Sequence, residues 1–376
     1  MQVTKRKLRE YWHQNTLGTE YTLHQLSPYI GKLKSSIAKG IILHFTNEGE
    51  TIYDPYCGAC TIPLEACILR RNVIANDLNP YAYILSLAKL NPPEELENVL
   101  TDLKKYSIVV EHLISEIDLR KTPKWIRDFF HPATLREILA WNDILKKNKE
   151  WFLLSCMLGI LHHQRPGFLS YPSSHSVPYL RIKKFPPAKF PHLYKYRNVY
   201  ERLKKKVTRA FKRMPMIDKN FFRICTSSDS AIVNPKVPID AIITSPPYMR
   251  SLDYARDNRL RLWFLVGDLW KELDKRISPT EKDFLSAITA ALNNWKKYLK
   301  VSGKCILILG DSFCKSYNLD LPEAIEKIAI EEVKGYKLLF KMRNLIPDKK
   351  RVRKNLRGNK YETILVLEKS KNGKKN

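Results

Sequence analysis

Residues 49–66 read Gly-Glu-Thr-Ile-Tyr-Asp-Pro-Tyr-Cys-Gly-Ala-Cys-Thr-Ile-Pro-Leu-Glu-Ala. A turn and a short apolar strand lead to an acid, Asp54, which is followed by a loop of small residues and a helix with an acid in its early turns. This order is typical of a strand–loop–helix unit in a doubly wound α/β sheet, where ligands bind at the carboxyl ends of the parallel strands. The stretch therefore predicts a Rossmann-like α/β fold with a ligand site beside Asp54.

Further strands follow, and three of them also lead to polar residues. The strand Asn72–Asn76 ends at Asp77-Leu78, and an acid at the end of a second strand is the usual device for binding ribose hydroxyls. Residues 221–225 lead to Asp229, and residues 239–243 lead to Thr244-Ser245-Pro246-Pro247-Tyr248. Residues 337–343 and 363–368 alternate like strands and are expected to form a late antiparallel pair.

The five residues 244–248 suggest a particular chemistry. Two consecutive prolines fix φ and donate no hydrogen bond, so the backbone there is stiff and offers carbonyl acceptors. Rigid acceptors beside an aromatic ring suit a flat substrate that carries an NH2 group, such as an extruded nucleobase. The alternative is a proline-rich turn that only caps a strand.

Net charge narrows the class of partner. The formal charge of +28 over 376 residues argues for a polyanion, of which nucleic acid is the commonest and an anionic membrane surface the competitor. No apolar run approaches the ~20 residues needed to span a bilayer, and the basic N-terminus has no apolar segment typical of export.

Seven scattered cysteines favour a reducing cytoplasm. One Cys-x-x-Cys pair, Cys57 and Cys60, is a poor zinc site, so we expect no metal.

A long, mostly helical stretch interrupts the alternation of strands and helices between residues 83 and 220, with helices expected over 89–119, 132–147 and 151–163. From His162 to Asn220 there are 15 Lys or Arg against 2 Asp or Glu, with aromatic residues interleaved. This composition favours nucleic-acid contact over a merely solvated face. Apolar residues recur at helical spacing at Val199, Leu203, Val207, Phe211 and Met214. The candidate nucleic-acid contacts are Arg165, Lys204, Lys205, Arg209, Arg250, Arg256 and Arg259.

Together these motifs resemble the S-adenosylmethionine-dependent amino-methyltransferases of nucleic acids, and most nearly the cytosine-N4 DNA methyltransferases. The resemblance covers residues 24–90 and 220–370. The segment 54–60 resembles the family's methionine-binding loop, Asp77 its ribose acid, Asp229 its acid near the adenine, and 245–248 its catalytic tetrad. The cofactor-binding residues implied by the resemblance are Tyr29, Lys32, Asp54, Pro55, Tyr56, Cys57, Gly58, Asp77, Leu78, Asp229 and Thr244.

The resemblance also implies an activity. Ser245, Pro246, Pro247 and Tyr248 would hold the exocyclic amine for direct attack on the sulfonium methyl group of the cofactor. Serine at the first tetrad position is typical of cytosine-N4 enzymes, so the N4 amino group of cytosine in DNA is expected, with a cognate restriction endonuclease as a potential partner. An RNA cytidine-N4 enzyme on the same fold is the alternative; adenine-N6 methylation or a non-enzymatic nucleic-acid-binding protein is less expected. Cys60 departs from the family, which has glycine there.

The same reasoning predicts the organisation of the chain. Residues 1–94 and 221–376 are expected to form the two parts of a class I methyltransferase core with a mostly parallel sheet. Residues 95–220 are expected to form a helical, basic insertion that recognises the target.

Overall fold

The computed structural model of the chain describes residues 2–16, 18–163, 165, 167–174, 177–247, 254–277, 280–346 and 360–371, with the side chains of 2–4 and 275–277 excepted. Its strands are β1 (Thr51–Asp54), β2 (Asn72–Asn76), β3 (Arg223–Thr226), β4 (Ile239–Thr244), β5 (Leu299–Gly310), β6 (Phe313–Cys314), β7 (Leu319–Asp320), β8 (Tyr336–Leu345) and β9 (Tyr361–Lys369). Its helices are α1 (Gln2–His13), α2 (Ser35–Phe45), α3 (Thr61–Ile68), α4 (Pro80–Leu90), α5 (Leu96–Leu113), α6 (Lys124–Arg127), α7 (Pro132–Lys147), α8 (Trp151–Gly159), α9 (Val199–Phe211), α10 (Tyr254–Val266), α11 (Trp270–Ile277), α12 (Glu281–Tyr298) and α13 (Leu321–Lys327).

Seven strands form one sheet in the order β3-β2-β1-β4-β5-β9-β8. The first five are parallel, and β9 runs antiparallel to both β5 and β8. This confirms the predicted Rossmann-like methyltransferase fold, including its late antiparallel pair. The strand order reverses between β1 and β4, so the loops after these two strands border the crevice in which doubly wound sheets bind ligands.

Both faces of the sheet are covered by apolar side chains. One face of the central strands packs against α12 and α13, with Trp295 fully buried among Ile242, Leu307 and Leu365. The other face packs against α1, α2 and α3. Burial on both faces explains why β1 and β4 read as nearly continuous apolar runs rather than as alternating ones.

The insertion differs in detail from its prediction. The helix expected over 89–119 is interrupted between α4 and α5, where Pro92 and Pro93 stand; proline removes a backbone donor and disfavours helix in the residue before it. The helix expected to reach His163 ends at Gly159, whose backbone lies so close to the Leu26 carbonyl that a Cβ would stand 2.4 Å from that oxygen. The amphipathic pattern of α9 is confirmed, with Val199, Leu203 and Val207 buried.

The insertion shares its hydrophobic core with the segments before and after it. Leu26, Tyr81 and Leu85 from the N-terminal part belong to the same apolar cluster as Leu103, Trp141 and Met157 of the insertion and Leu260 and Phe264 of α10. The boundaries at residues 94 and 220 remain a prediction. No helix among the described residues is long and apolar enough to cross a membrane.

Because of this shared core, residues 95–220 expressed alone are expected to show no cooperative thermal unfolding, whereas the full chain does. The fragment would expose the apolar surface that α4 and α10 cover, and that loss outweighs the contacts it keeps. Differential scanning calorimetry of the fragment and the full chain tests this expectation, and a sharp transition of the fragment alone would contradict it.

Candidate active site

The carboxyl ends of β1 and β4 are joined by a buried hydrogen bond. The Thr244 hydroxyl donates to Asp54 Oδ1 at 2.6 Å, and the backbone N–H of Tyr56 lies 3.3 Å from the same oxygen. Burial raises the pKa of the Asp54 carboxyl to about 8, although both hydrogen bonds oppose that rise. The predicted small-residue loop and the predicted proline turn therefore begin at the same point of the sheet.

The loop between β1 and α3 turns tightly over Asp77. The backbone N–H groups of Gly58 and Asn79 donate to the two oxygens of Asp77 at 2.8 and 2.9 Å. Burial raises the pKa of Asp77 to about 6, and these two bonds counter the rise. Gly58 and Cys60 have φ values of +46° and +58°, in the left-handed region that favours glycine. Cys60, where the sequence resemblance leads us to expect glycine, therefore has a backbone conformation that favours glycine.

A pocket of about 600 Å³, counted to its open mouth, lies beside these groups. Nine of the predicted site residues line it, from the loop, the end of β2, the proline turn and the 29–32 segment: Tyr29, Lys32, Asp54, Tyr56, Cys57, Gly58, Asp77, Ser245 and Pro247. The catalytic and cofactor-binding motifs read from the sequence therefore meet in one cavity.

Other predicted residues lie outside the lining of this pocket. Pro55, Leu78, Asp229, Thr244 and Pro246 are absent from it within the described residues. Asp229 caps the turn after β3, where its carboxylate accepts from the Ala231 N–H at 2.9 Å. Lys32 does line the pocket, but its ammonium is held by the His24 carbonyl at 2.9 Å and by Glu20 at 3.5 Å. Tyr248 lies outside the described residues.

The Ser245 side chain has a defined hydrogen-bonding role. Its hydroxyl donates to the carbonyl of Ile308, which belongs to the neighbouring strand β5, at 3.2 Å. Since the hydroxyl proton is donated to that carbonyl, the Ser245 oxygen can only accept hydrogen bonds from other groups. Ser245 is thus oriented as an acceptor at the pocket wall.

The predicted nucleic-acid contacts form no single cluster among the described residues. Lys204, Lys205 and Arg209 are exposed along the outer face of α9, and Arg165 is exposed before the 167–174 segment. Arg256 is exposed on α10, two residues after Tyr254, which lines the pocket, whereas Arg259 is half-buried. Arg250 lies outside the described residues.

Three groups that support the site were not predicted. Asn76, fully buried at the end of β2, donates to the Pro55 and Ser228 carbonyls and accepts from Thr226 Oγ1 and the Ser228 N–H at 2.7 to 3.2 Å. Lys89 of α4 is fully buried and donates to the Ala59 carbonyl at 2.6 Å, and burial lowers its pKa to about 7. The Thr61 hydroxyl is buried in the pocket wall with no hydrogen-bond partner in the described part of the chain. Of the three, only Asn76 has a signal in the sequence, since it is a polar residue in an otherwise mostly apolar strand.

The loop after β1 is also fixed from the side of β3. The Ser230 hydroxyl lies 2.6 Å from the Tyr56 hydroxyl, and the Tyr56 ring packs edge-on against Trp295 at 5.9 Å. Among the described residues, no group of three or more His, Cys, Asp or Glu side chains could hold a metal ion.

One family model matches part of the chain. The model described as UPF0020, an RMKL-like methyltransferase domain, matches residues 26–111, which include α2, β1, the loop, β2 and α4. This part of the chain is therefore similar to a methyltransferase domain. No curated protein sequence matches the chain.

Several solved structures resemble the chain at low identity. TrmN from Thermus thermophilus has a TM-score of 0.36 and 12% identity over 92% of this chain, which spans about half of that protein (52%). The rRNA methyltransferase aviRa from Streptomyces viridochromogenes has a TM-score of 0.34 and 13% identity over 94% of this chain and 93% of its own. An rRNA methylase from Streptococcus thermophilus has a TM-score of 0.33 and 10% identity over 90% and 98% of the two chains.

Asn76→Ala is expected to lower the free energy of unfolding by about 3 kcal/mol, because it leaves buried backbone groups of two loops without partners. Urea denaturation followed by circular dichroism measures the change. The matched control is Asn98→Ala, at an exposed asparagine of α5, which is expected to change stability by less than about 0.5 kcal/mol. Equal effects of the two substitutions would show that Asn76 does not hold the loops together.

Proposed function

We propose that the chain is an S-adenosylmethionine-dependent methyltransferase that modifies the exocyclic amino group of a base in RNA, with the N4 group of cytosine as the predicted target. One observation carries the proposal: Asp54, Asp77 and the small-residue loop line the same pocket as Ser245 and Pro247. The residues proposed for a nucleoside-bearing cofactor and those proposed for an amine thus line one pocket. The methyltransferase domain matched at residues 26–111 supports the reaction type.

The residues present fit the cofactor. Asp77, at the end of the second strand, is positioned to accept hydrogen bonds from ribose hydroxyls. Two carboxyl groups with raised pKa values, the buried Asp54 and the half-buried Asp77, favour a ligand that brings positive charge. The buried Thr61 hydroxyl, which has no partner among the described residues, offers a further polar contact.

When bound, the cofactor would supply an electrophilic methyl group on a sulfonium. The chain's contribution would be orientation of the amine. Ser245 accepts from one amine N–H, since its own proton is committed to Ile308, and the proline turn supplies rigid carbonyl acceptors. Hydrogen bonds to both N–H groups would fix the orientation of the nitrogen lone pair. No covalent bond between the protein and the base would be required.

RNA is preferred to DNA as the substrate because of where the positive charge lies. The exposed cations at Arg165, on α9 and on α10 are spread over the insertion and the core, as suits a substrate read by shape. The rRNA enzymes that resemble the chain do so in fold alone, so the distribution of charge carries the preference. The expected preference for DNA and a partner endonuclease gain no support. A DNA cytosine-N4 enzyme becomes the second candidate, favoured by the Thr-Ser-Pro-Pro-Tyr motif.

The affinity for S-adenosylmethionine is expected to rise between pH 6 and pH 8, by up to about tenfold per pH unit, and to level off above pH 8. In the free protein the Asp54 carboxyl, with its pKa near 8, is largely protonated at pH 6, and a cationic ligand favours the ionised form. Binding therefore releases a proton below pH 8. Isothermal titration calorimetry at several pH values measures this, with Asp54→Asn expected to flatten the profile. An affinity that falls as pH rises would contradict the assignment.

Ser245→Ala is expected to reduce methyl transfer about 10- to 100-fold, because one acceptor for the reacting amine is lost, and to leave cofactor affinity within about threefold. Tritiated-methyl transfer to total RNA and to genomic DNA, followed by nucleoside mass spectrometry, identifies both the polymer and the base. Ser227→Ala, at an exposed serine outside the pocket lining, is the matched control. Methylated cytosine in DNA alone would favour the second candidate, and methylation of neither polymer would overturn the proposal.

A further inference from the structure

Tyr179 of the insertion and Arg259 of α10 form a stacked pair at the surface. The guanidinium carbon of Arg259 lies 4.9 Å from the centre of the Tyr179 ring, within the range of a cation–π contact. Arg259 also donates to the Pro178 carbonyl at 2.5 Å, which fixes the side chain to the loop that carries the tyrosine. Tyr179 nevertheless remains 51% exposed. Arginine therefore supports one side of an aromatic ring that is still widely accessible to solvent.

The loop around Tyr179 is held by its own backbone. Ser173 and Leu180 form an antiparallel bridge, the Ser174 N–H donates to the Tyr179 carbonyl at 2.8 Å, and the Arg181 N–H donates to the Pro172 carbonyl at 2.8 Å. The exposed ring thus stands on a backbone that is pinned on both sides. A ring held in place before binding loses little conformational entropy when a ligand stacks on it.

Helix α10 connects this pair to the proposed active site. Tyr254, its first residue, lines the pocket, and Arg259 follows five residues later, which is about 7.5 Å along the helix axis. Arg256, between them, is exposed. The same helix therefore borders the pocket and carries the arginine that backs the Tyr179 ring.

The charge around the ring favours a polyanion. Residues 162–200 contain no aspartate or glutamate, and Lys183 and Lys184 are exposed just after the loop. Cations for the phosphates together with an aromatic ring for the bases are what single-stranded nucleic acid requires.

We propose that Tyr179, backed by Arg259, is a stacking platform for an unpaired base of a single-stranded RNA segment beside the target base. The inference rests on the proposed function, since it takes RNA as the substrate. An unpaired base is required, because in a paired helix the faces of the bases are covered by their neighbours and only edges and backbone are presented.

Fluorescence anisotropy with labelled single-stranded RNA, a duplex of the same sequence, and single-stranded DNA tests the platform on the full chain. Tyr179→Ala is expected to raise the Kd for single-stranded RNA about tenfold, the usual loss for one stacked base, and to change duplex binding by less than about twofold. Tyr179→Phe keeps the ring and is expected to bind like the original protein. Ile182→Ala, at an equally exposed neighbour without a ring, is the matched control.

The outcomes separate the platform from the proposed function. Equal Kd values for Tyr179→Ala and the original chain would overturn the platform, and an equal loss on the duplex would overturn its restriction to single strands. Cofactor affinity measured by calorimetry should be unchanged in every variant, which excludes misfolding as the cause of a loss. If the original chain binds only single-stranded DNA, the RNA assignment fails, and the Tyr179 variants on that DNA still decide whether the ring stacks.

Discussion

The hydrogen bond between Thr244 and Asp54 is the constraint on which the site depends. It joins residues 190 positions apart in sequence, at the ends of two adjacent parallel strands, and both side chains are buried. A buried carboxyl without a partner would be strongly unfavourable, so the bond holds the ends of β1 and β4 in one relative position. The loop after β1 and the turn after β4 must then leave the sheet side by side. Their convergence on one pocket follows from this.

The loop after β1 keeps its shape through several weaker restraints. Two residues, Gly58 and Cys60, adopt positive φ, which for cysteine is unfavourable by roughly 1 kcal/mol and must be offset by surrounding contacts. Three such contacts surround the loop: Asp77 accepts from the Gly58 N–H, Lys89 donates to the Ala59 carbonyl, and Cys60 itself is fully buried. Cysteine at position 60 thus occupies a backbone conformation that favours glycine.

Residues 95–220, the predicted insertion, share one hydrophobic core with the segments on either side of them. Their helices share apolar contacts with α4, which follows β2, and with α10, which follows the proline turn. Arg261 of α10 is buried between these parts, with its guanidinium 5.6 Å from the Tyr81 ring and a hydrogen bond to the Leu158 carbonyl. These contacts fix the position of residues 95–220 relative to the pocket.

The sequence by itself determined the order of elements and most of the lining of the pocket. Apolar strands that end in polar residues are local patterns, and parallel strands bring their carboxyl ends together, so these patterns suffice to place Asp54, Asp77 and Ser245 on one edge of the sheet. Only the tertiary structure decided which of these side chains face the cavity, that Asp229 caps a turn, and that Lys32 is held by Glu20 and His24. It also disclosed Asn76, Lys89 and the Tyr179–Arg259 pair. The contacts of Asn76 with Ser228, of Lys89 with Ala59 and of Tyr179 with Arg259 join residues far apart in sequence, and no local pattern in the chain identifies such partners.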